Sequence, residues 1–172
     1  MDQQDMKKKS GNFSYYCADL CDDNIQSPQP VYVVQPNLFQ SYGGKLCFHG
    51  KIVTIRCFES NGLVRQTLFS EEGKGKVLVV DGGGSTRVAL LGDRLASMAL
   101  LQHWEGIIIN GCVRDTAVLR TMPIGIKAIG STPVKSLKLH PGDKNVKISF
   151  GGTEFIPGHW IYADEVSKLK FA

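Results

Sequence analysis

Two short apolar runs, at residues 76–80 and 106–109, constrain the fold more than any other feature of the sequence. Each has the length of a buried strand, and the segment between them, 89–103, carries leucine and methionine at helical spacing, which predicts an amphipathic helix. A short helical segment at 116–120 precedes a third apolar run at 124–129. Strands alternating with helices in this way predict an α/β fold around a mainly parallel sheet.

The chain before this core predicts mixed elements. The stretch YYCADLCDDN reads as a short helix, and residues 31–34 form an extended apolar run between prolines. Residues 45–57 are rich in β-branched side chains and predict strands with a bend at Gly50. A short helix is expected over 63–69, after the turn signal Asn61-Gly62.

The end of the chain has the pattern of antiparallel strands. Residues 146–150 and 153–156 flank Gly151-Gly152 and predict a β-hairpin, and a further strand is expected at 160–162. We therefore expect an antiparallel β layer added to the parallel core.

Composition limits the domain count and the class of partner. At 172 residues and 42% hydrophobic content, the chain suits one domain, expected over 15–172 after a flexible terminus at 1–14. The net charge is +4, and apart from Lys7–Lys9 the charges are interspersed, which argues against direct nucleic-acid binding. No apolar stretch has the length of a secretory signal core or a membrane span, so we expect a cytoplasmic protein without a membrane partner.

Cysteine usage agrees with a reducing compartment. Five cysteines are an odd number in a chain that can bury a core without disulfides, which favours free thiols. Cys17 and Cys21 are spaced C-x3-C, but no second pair of cysteine or histidine stands nearby to complete a zinc site. We expect both to be helix residues.

Candidate site residues follow the core strands, because ligands of open α/β sheets bind beyond the carboxyl ends of parallel strands. Gly82-Gly83-Gly84 follows the first run and permits either a tight turn or close approach to a ligand; it matches neither phosphate-binding glycine motif. Arg114-Asp115 follows the second strand. An arginine there suits a carboxylate, and an aspartate suits a hard divalent cation.

Gly92-Asp93-Arg94-Leu95 has two interpretations. If a helix begins here, the amides of Arg94 and Leu95 can bind an anion. Periodicity alone favours one continuous helix with Asp93 on its solvated face.

Four long stretches of the chain match one known family: GGKLCFHGKIVTIRCFESNGLV, GKGKVLVVDGGGSTRVALLGDRLA, WEGIIINGCVRD and FGGTEFIPGHWIYAD. They resemble the family of the regulator of ribonuclease activity A, which includes 4-hydroxy-4-methyl-2-oxoglutarate aldolases, and the resemblance covers about nine tenths of the sequence. Catalytic members carry D-x20-R-D, and Asp93, Arg114 and Asp115 satisfy this pattern without a gap. The fold that the resemblance implies is a three-layer swivelling β/β/α domain.

The resemblance also implies roles for these residues. Residues 92–95 (Gly92, Asp93, Arg94 and Leu95) would hold the pyruvyl carboxylate of a 2-oxo acid together with Arg114. Asp115 would contact Mg²⁺ or Mn²⁺, and Asp93 would orient a water on that ion. The implied enzyme is a class II aldolase that also decarboxylates oxaloacetate, because both reactions pass through the enolate of pyruvate.

Two further expectations come from the family. Members assemble as trimers or as hexamers of two trimers, and a neighbouring subunit can supply an acidic residue, for which Asp164 and Glu165 are the candidates here. Other members act as protein inhibitors of ribonuclease E without catalysis, so a regulator of that kind is the alternative function.

Overall fold

The computed structural model describes residues 16–28, 31–138, 141–165 and 168–171, the last of these as backbone only. The expected flexible segment at 1–14, with Lys7–Lys9, lies outside the described residues.

Twelve strands and four helices are assigned within these ranges. In chain order they are α1 (Cys17–Asp23), β1 (Val31–Val33), β2 (Gln40–Ser41), β3 (Phe48–Arg56), α2 (Gly62–Ser70), β4 (Lys76–Asp81), β5 (Ala89–Leu91), α3 (Asp93–Leu101), β6 (Gly106–Val113), α4 (Thr116–Leu119), β7 (Gly125–Ser131), β8 (Asp143–Lys144), β9 (Ile148–Phe150), β10 (Thr153–Phe155), β11 (Trp160–Ala163) and β12 (Lys168–Phe171).

The centre of the fold is a parallel sheet in the order β3-β4-β6-β7, with one helix in each connection. Antiparallel strands extend it on both sides: β11, β12 and β1 beyond β3, and β2 beyond β7. The hairpin β9-β10 forms a separate two-stranded sheet. The predicted parallel core with added antiparallel strands is confirmed.

The two faces of the central strands bury different layers. Leu78, Val80 and Ile107 point toward the helices and pack with residues of α2 and α3. The alternate residues Val77 and Val79 pack on the other side with residues of the β9-β10 hairpin. Because both faces are covered, the strands read as continuous apolar runs. The fold is therefore the expected three-layer β/β/α arrangement.

Two sequence predictions were wrong in detail. The helix expected over 89–103 begins only at Asp93, because Ala89–Leu91 form β5 and pair with β6 in parallel. The bend expected at Gly50 is absent, since β3 is one continuous nine-residue strand. A Cβ at Gly50 would lie 2.9 Å from the carbonyl oxygen of Gly75, so close backbone packing explains this glycine.

The other predicted elements lie within a few residues of their expected positions, whereas β2, β8 and β12 were not predicted. Cys17 and Cys21 are helix residues of α1, and no disulfide joins any of the five cysteines. None of the helices in the described part of the chain combines the length and the apolar character needed to cross a lipid bilayer.

Candidate functional site

The site forms where the start of α3 meets the end of β6. The backbone N–H of Arg114 donates to the carbonyl oxygen of Leu91 at 2.9 Å, which fixes the two segments side by side. Gly92 is the N-cap residue of α3, and Asp93 is its first residue. Residues separated by about twenty positions in the sequence, Asp93, Arg114 and Asp115, are thereby neighbours in space.

Position 92 has no room for a side chain, because the Arg114-Asp115 pair occupies the space that a Cβ would need. A Cβ at this position would lie 2.5 Å from Oδ2 of Asp115 and 3.1 Å from both Cγ and Nε of Arg114. The backbone of Gly92 is extended, with φ −140° and ψ −172°, so any residue could adopt its conformation. The requirement for glycine is therefore one of space, and the Arg114-Asp115 pair creates it.

Asp115 holds a conformation that few residues adopt. Its φ of 56° and ψ of 37° lie in the left-handed region, which aspartate and asparagine tolerate better than most side chains. Its Oδ2 lies 3.3 Å from Nε of Arg114 and 3.4 Å from the backbone N of Asp93. Both side chains of the Arg114-Asp115 pair remain 35% exposed. The carboxylate is thus oriented by two donors without being enclosed.

The contacts of Arg114 leave part of its guanidinium free to bind a ligand. Only Nε faces Asp115, and the two terminal amino groups have no hydrogen-bond partner among the described residues. These two groups form the planar fork that suits a carboxylate.

The backbone N–H groups of Arg94 and Leu95, at the start of α3, differ in their hydrogen bonding. The N–H of Arg94 donates to Oδ1 of Asp93 at 2.6 Å in this structure. The N–H of Leu95 has no acceptor within the described ranges. The first regular helical bond is that of Ala96, which donates to the carbonyl oxygen of Gly92 at 3.0 Å. One amide of the two predicted remains available for an anion.

A cavity of about 270 Å³ opens in front of these groups. Gly92, Asp93, Arg94, Leu95 and Arg114 all line it, whereas Asp115 lies behind Gly92 and does not. The structure therefore brings the six predicted site residues together, with Asp115 at the back of the group.

A divalent ion can bind here only if waters and substrate oxygens supply most of its ligands. Within the described ranges no group of three or more histidine, cysteine, aspartate or glutamate side chains could hold a metal. Asp115 offers Oδ1, for which no described residue is a partner, and Asp93 offers its second oxygen. Mg²⁺ and Mn²⁺ suit one or two carboxylates, with waters and substrate oxygens completing the shell.

The triple glycine serves the fold. The N–H groups of Gly82 and Gly84 both donate to the carbonyl oxygen of Asn110, at 3.0 and 3.1 Å, and Gly83 and Gly84 have positive φ angles. None of the three lines the cavity. Of the two interpretations left open, the tight turn is the one that the geometry supports.

Asp164 is committed to structure as well. It is buried, and its carboxylate accepts the backbone N–H of Cys17 at 2.9 Å. Glu165, the other candidate for an acidic contribution to a neighbouring subunit, is exposed.

Sequence reasoning missed four polar side chains that line the cavity: Asn61, Arg65, Lys135 and Lys138. Asn61 and Arg65 lie at the start of α2, and the two lysines lie in the segment after β7. No local pattern could have found them, because only the tertiary fold brings these segments to the start of α3.

Comparison with known proteins identifies the family of the chain. The model of the RraA-like family, described as Aldolase/RraA, matches residues 17–166. A protein of Dechloromonas aromatica is 51% identical over 88% of this chain and 92% of its own length, and one of Pseudomonas aeruginosa PAO1 is 50% identical over 87% and 90%. Both are named as unproven 4-hydroxy-4-methyl-2-oxoglutarate aldolases.

Solved structures share the fold over most of their length. The RNA-processing inhibitor RraA from Thermus thermophilus superposes with a TM-score of 0.85 at 43% identity, covering 91% of this chain and 92% of that one. A Geobacillus kaustophilus protein described as an S-adenosylmethionine:2-dimethylmenaquinone methyltransferase gives a TM-score of 0.84 at 47% identity, covering 91% and 94%. On the family match and these identities, the chain belongs to the RraA-like family.

Proposed function

We propose that the protein is a divalent-metal-dependent carbon–carbon lyase that cleaves 4-hydroxy-4-methyl-2-oxoglutarate to pyruvate and also decarboxylates oxaloacetate. The observation that carries the proposal is that Asp93, Arg114 and Asp115 lie together around Gly92, where the Arg114 and Asp115 side chains leave no room for a Cβ. The aldolase names of relatives that are about half identical support the same activity.

The chain's own groups suit the pyruvyl end of such a substrate. The terminal amino groups of Arg114 can hold its carboxylate in a bidentate manner, and the N–H of Leu95 at the positive end of α3 can add a third donor. These donors would hold the 2-oxo acid in a fixed orientation before any bond breaks. Such positioning lowers the barrier to the reaction.

Asp115 is the residue that would hold the ion, and Asp93 would orient a nearby water. When bound, Mg²⁺ or Mn²⁺ supplies a Lewis acid that stabilises negative charge on the 2-oxo group as the bond to C4 breaks. Arg114 orients Asp115 through Nε, and the N–H of Asp93 approaches the same oxygen, so the carboxylate does not need to reorganise.

The bond changes balance without an added oxidant or a Schiff base. In the aldol cleavage the 4-hydroxyl loses its proton and the C3–C4 bond breaks. The electron pair stays on C3 as the enolate of pyruvate, which then takes a proton at C3. In oxaloacetate the same enolate forms when carbon dioxide leaves. The second oxygen of Asp93 can orient a water that carries the proton, because Oδ1 already accepts the N–H of Arg94.

Pyruvate release with and without a chelator tests this proposal. We expect turnover of both acids with Mg²⁺ or Mn²⁺ and none after chelation. Asp115→Asn and Arg114→Ala should each lower kcat/KM by about 100-fold or more, the usual loss when a positioned charge is removed. Asparagine tolerates the left-handed backbone of Asp115, so that variant should fold normally.

The exposed pair Arg56-Asp143, at 2.8 Å, provides matched controls. Arg56→Ala and Asp143→Asn make the same chemical changes at a site that does not line the cavity, and should leave turnover unchanged. Full activity of the chelated protein, or of Asp115→Asn, would refute a metal-dependent lyase.

The second candidate function is a protein regulator that binds and inhibits ribonuclease E. The observation that favours it is the 43% identity with the Thermus RNA-processing inhibitor over nine tenths of the chain. Inhibition of purified ribonuclease E by the Asp115→Asn variant, with no pyruvate release by the parent protein, would favour the regulator.

We further propose a homotrimer, or a hexamer of two trimers, as the functional assembly, in the cytoplasm. Light scattering coupled to size-exclusion chromatography measures the mass of the assembly, and a monomer at micromolar concentration would exclude this arrangement.

A further inference from the structure

A second cavity, of about 570 Å³, lies away from the start of α3. It is formed by the hairpin β9-β10, by Tyr32 of β1 and by the segment 156–159, which leads into β11. None of its lining residues lines the cavity in front of Arg114. The hairpin packs on the face of the central sheet opposite the helices, so the two cavities belong to different layers of the fold.

The charge of the second cavity differs from that of the first. No lysine or arginine is among the described residues that line it. Its acidic side chain, Glu154, lies 2.8 Å from Nζ of Lys147, which balances the charge. The cavity in front of Arg114 is instead lined by five lysine or arginine side chains. An anion without a cationic partner pays a high desolvation cost, so the second cavity suits an uncharged ligand rather than a 2-oxo acid.

Aromatic and aliphatic side chains form the walls of the second cavity. Tyr32, Phe150 and Ile156 line it. The ring of Phe150 stacks on that of Phe155 with a centroid distance of 4.4 Å and an interplanar angle of 28°, so its orientation is fixed by the core. Gly152 also lines the cavity, and nothing lies within 4 Å of the place where its Cβ would be. Rigid aromatic walls beside an open turn suit a flat ring system.

Two buried polar atoms of the lining residues have no hydrogen-bond partner among the described residues. They are Oγ1 of Thr153, a residue that is only 7% exposed, and Nδ1 of His159. A buried polar atom without a partner is unfavourable. Neighbouring atoms cover both, but neither makes a hydrogen bond that turning toward the cavity would break. We therefore expect a ligand to supply their partners.

These two side chains specify the polar edge of the ligand. A threonine hydroxyl both donates and accepts, and a neutral imidazole has one donor nitrogen and one acceptor nitrogen. A cyclic amide in a heteroaromatic ring presents an N–H donor beside a carbonyl acceptor, which matches this pair. The volume of the cavity lies within the range of about 300–1,000 Å³ that is typical of small-molecule sites.

We infer that the second cavity binds an uncharged heteroaromatic ring with a cyclic amide, as in an oxopurine nucleoside. Thr153 and His159 form hydrogen bonds with the amide edge, and Phe150 and Tyr32 contact the faces of the ring, as aromatic side chains do with nucleobases. This inference is independent of the proposed lyase function, because the two cavities share no residue.

Calorimetric titration of the full-length protein with two nucleosides tests the inference. Inosine carries the cyclic amide, and purine riboside has the same ring system and the same ribose without it. We expect the parent to bind inosine about tenfold more tightly than purine riboside, since the hydrogen bonds of the amide edge are worth about that much. No binding of inosine at millimolar concentration, or equal affinity for the two nucleosides, would overturn the inference.

Thr153→Val removes the hydroxyl and keeps the shape of the side chain. It should weaken the binding of inosine about tenfold and leave that of purine riboside unchanged. Thr67→Val is the matched control, because Thr67 is also buried, at 1% exposure, and lies in α2 outside the cavity. It should leave both affinities unchanged. The same loss of inosine affinity in both variants would contradict a contact with Thr153.

Urea unfolding of the same proteins without nucleoside checks the state of the Thr153 hydroxyl. Because its Oγ1 has no partner among the described residues, Thr153→Val should keep or raise the unfolding midpoint. This result also shows that the variant is folded. A clearly lower midpoint would mean that the hydroxyl already has a partner within the protein, and would overturn its role in binding.

Discussion

Gly92→Ala is the most informative single change, because it disturbs the site without removing a functional group. The added Cβ would lie 2.5 Å from Oδ2 of Asp115, about 0.9 Å closer than the 3.4 Å at which ordinary contact begins. The extended backbone of Gly92 accepts alanine without strain. The carboxylate of Asp115 or the side chain of Arg114 must therefore move by about 1 Å.

A displacement of that size acts on catalysis far more than on stability. A misplacement of about 1 Å can cost about 100-fold in rate, so we expect kcat/KM for pyruvate release to fall by about two orders of magnitude. The pair is 35% exposed and can shift toward solvent, so the free energy of unfolding should change by less than about 1.5 kcal/mol.

The assay couples released pyruvate to lactate dehydrogenase at saturating Mg²⁺, with urea unfolding measured on the same preparations. Gly62→Ala is the control, because a Cβ there meets nothing within 4 Å. It should leave both quantities nearly unchanged. Undiminished turnover in Gly92→Ala would refute the proposal that the Arg114 and Asp115 side chains beside Gly92 take part in the reaction.

Further predictions concern the core and the thiols. Gly125→Ala would place a Cβ 2.1 Å from Cδ1 of Phe48, so we expect a loss of about 1–3 kcal/mol in the free energy of unfolding, measured by urea titration; an unchanged midpoint would contradict the packing. Burial raises the pKa of the Cys17 and Cys57 thiols to about 12, so neither should react with a disulfide reagent at pH 8 until the protein unfolds. Mass mapping of the labelled sites checks this, and rapid labelling of Cys57 in the folded protein would refute its burial.

The sequence predicted the parallel core well because burial on both faces of β4 and β6 leaves an unmistakable apolar signal. It failed at 89–91, where three apolar residues suit the start of a helix as well as a strand. Pairing of Ala89 with Cys112 and of Leu91 with Val113 decides in favour of the strand. That pairing connects residues more than twenty positions apart, and no local propensity reports it.

The candidate site could be predicted from the sequence only in part. The spacing of Asp93, Arg114 and Asp115 matches the pattern of the catalytic family members, and their convergence follows once β5 pairs with β6. A helix start at Gly92–Leu95 was one of the two interpretations of the sequence, because a glycine followed by an aspartate suits an N-cap and a first turn, and the structure agrees with it. The cations of Lys135 and Lys138 carried no such signal, since surface lysines are common in any soluble domain.

We propose that Arg114 and Asp115 have separate roles in one site: Arg114 binds the substrate carboxylate, and Asp115 binds the metal. Anomalous diffraction from crystals grown with Mn²⁺ and pyruvate measures this directly. We expect an anomalous peak within coordination distance of the Asp115 carboxylate, with the pyruvate carboxylate on the terminal amino groups of Arg114. No peak beside Asp115 in crystals with pyruvate bound, or pyruvate bound away from Arg114, would contradict it.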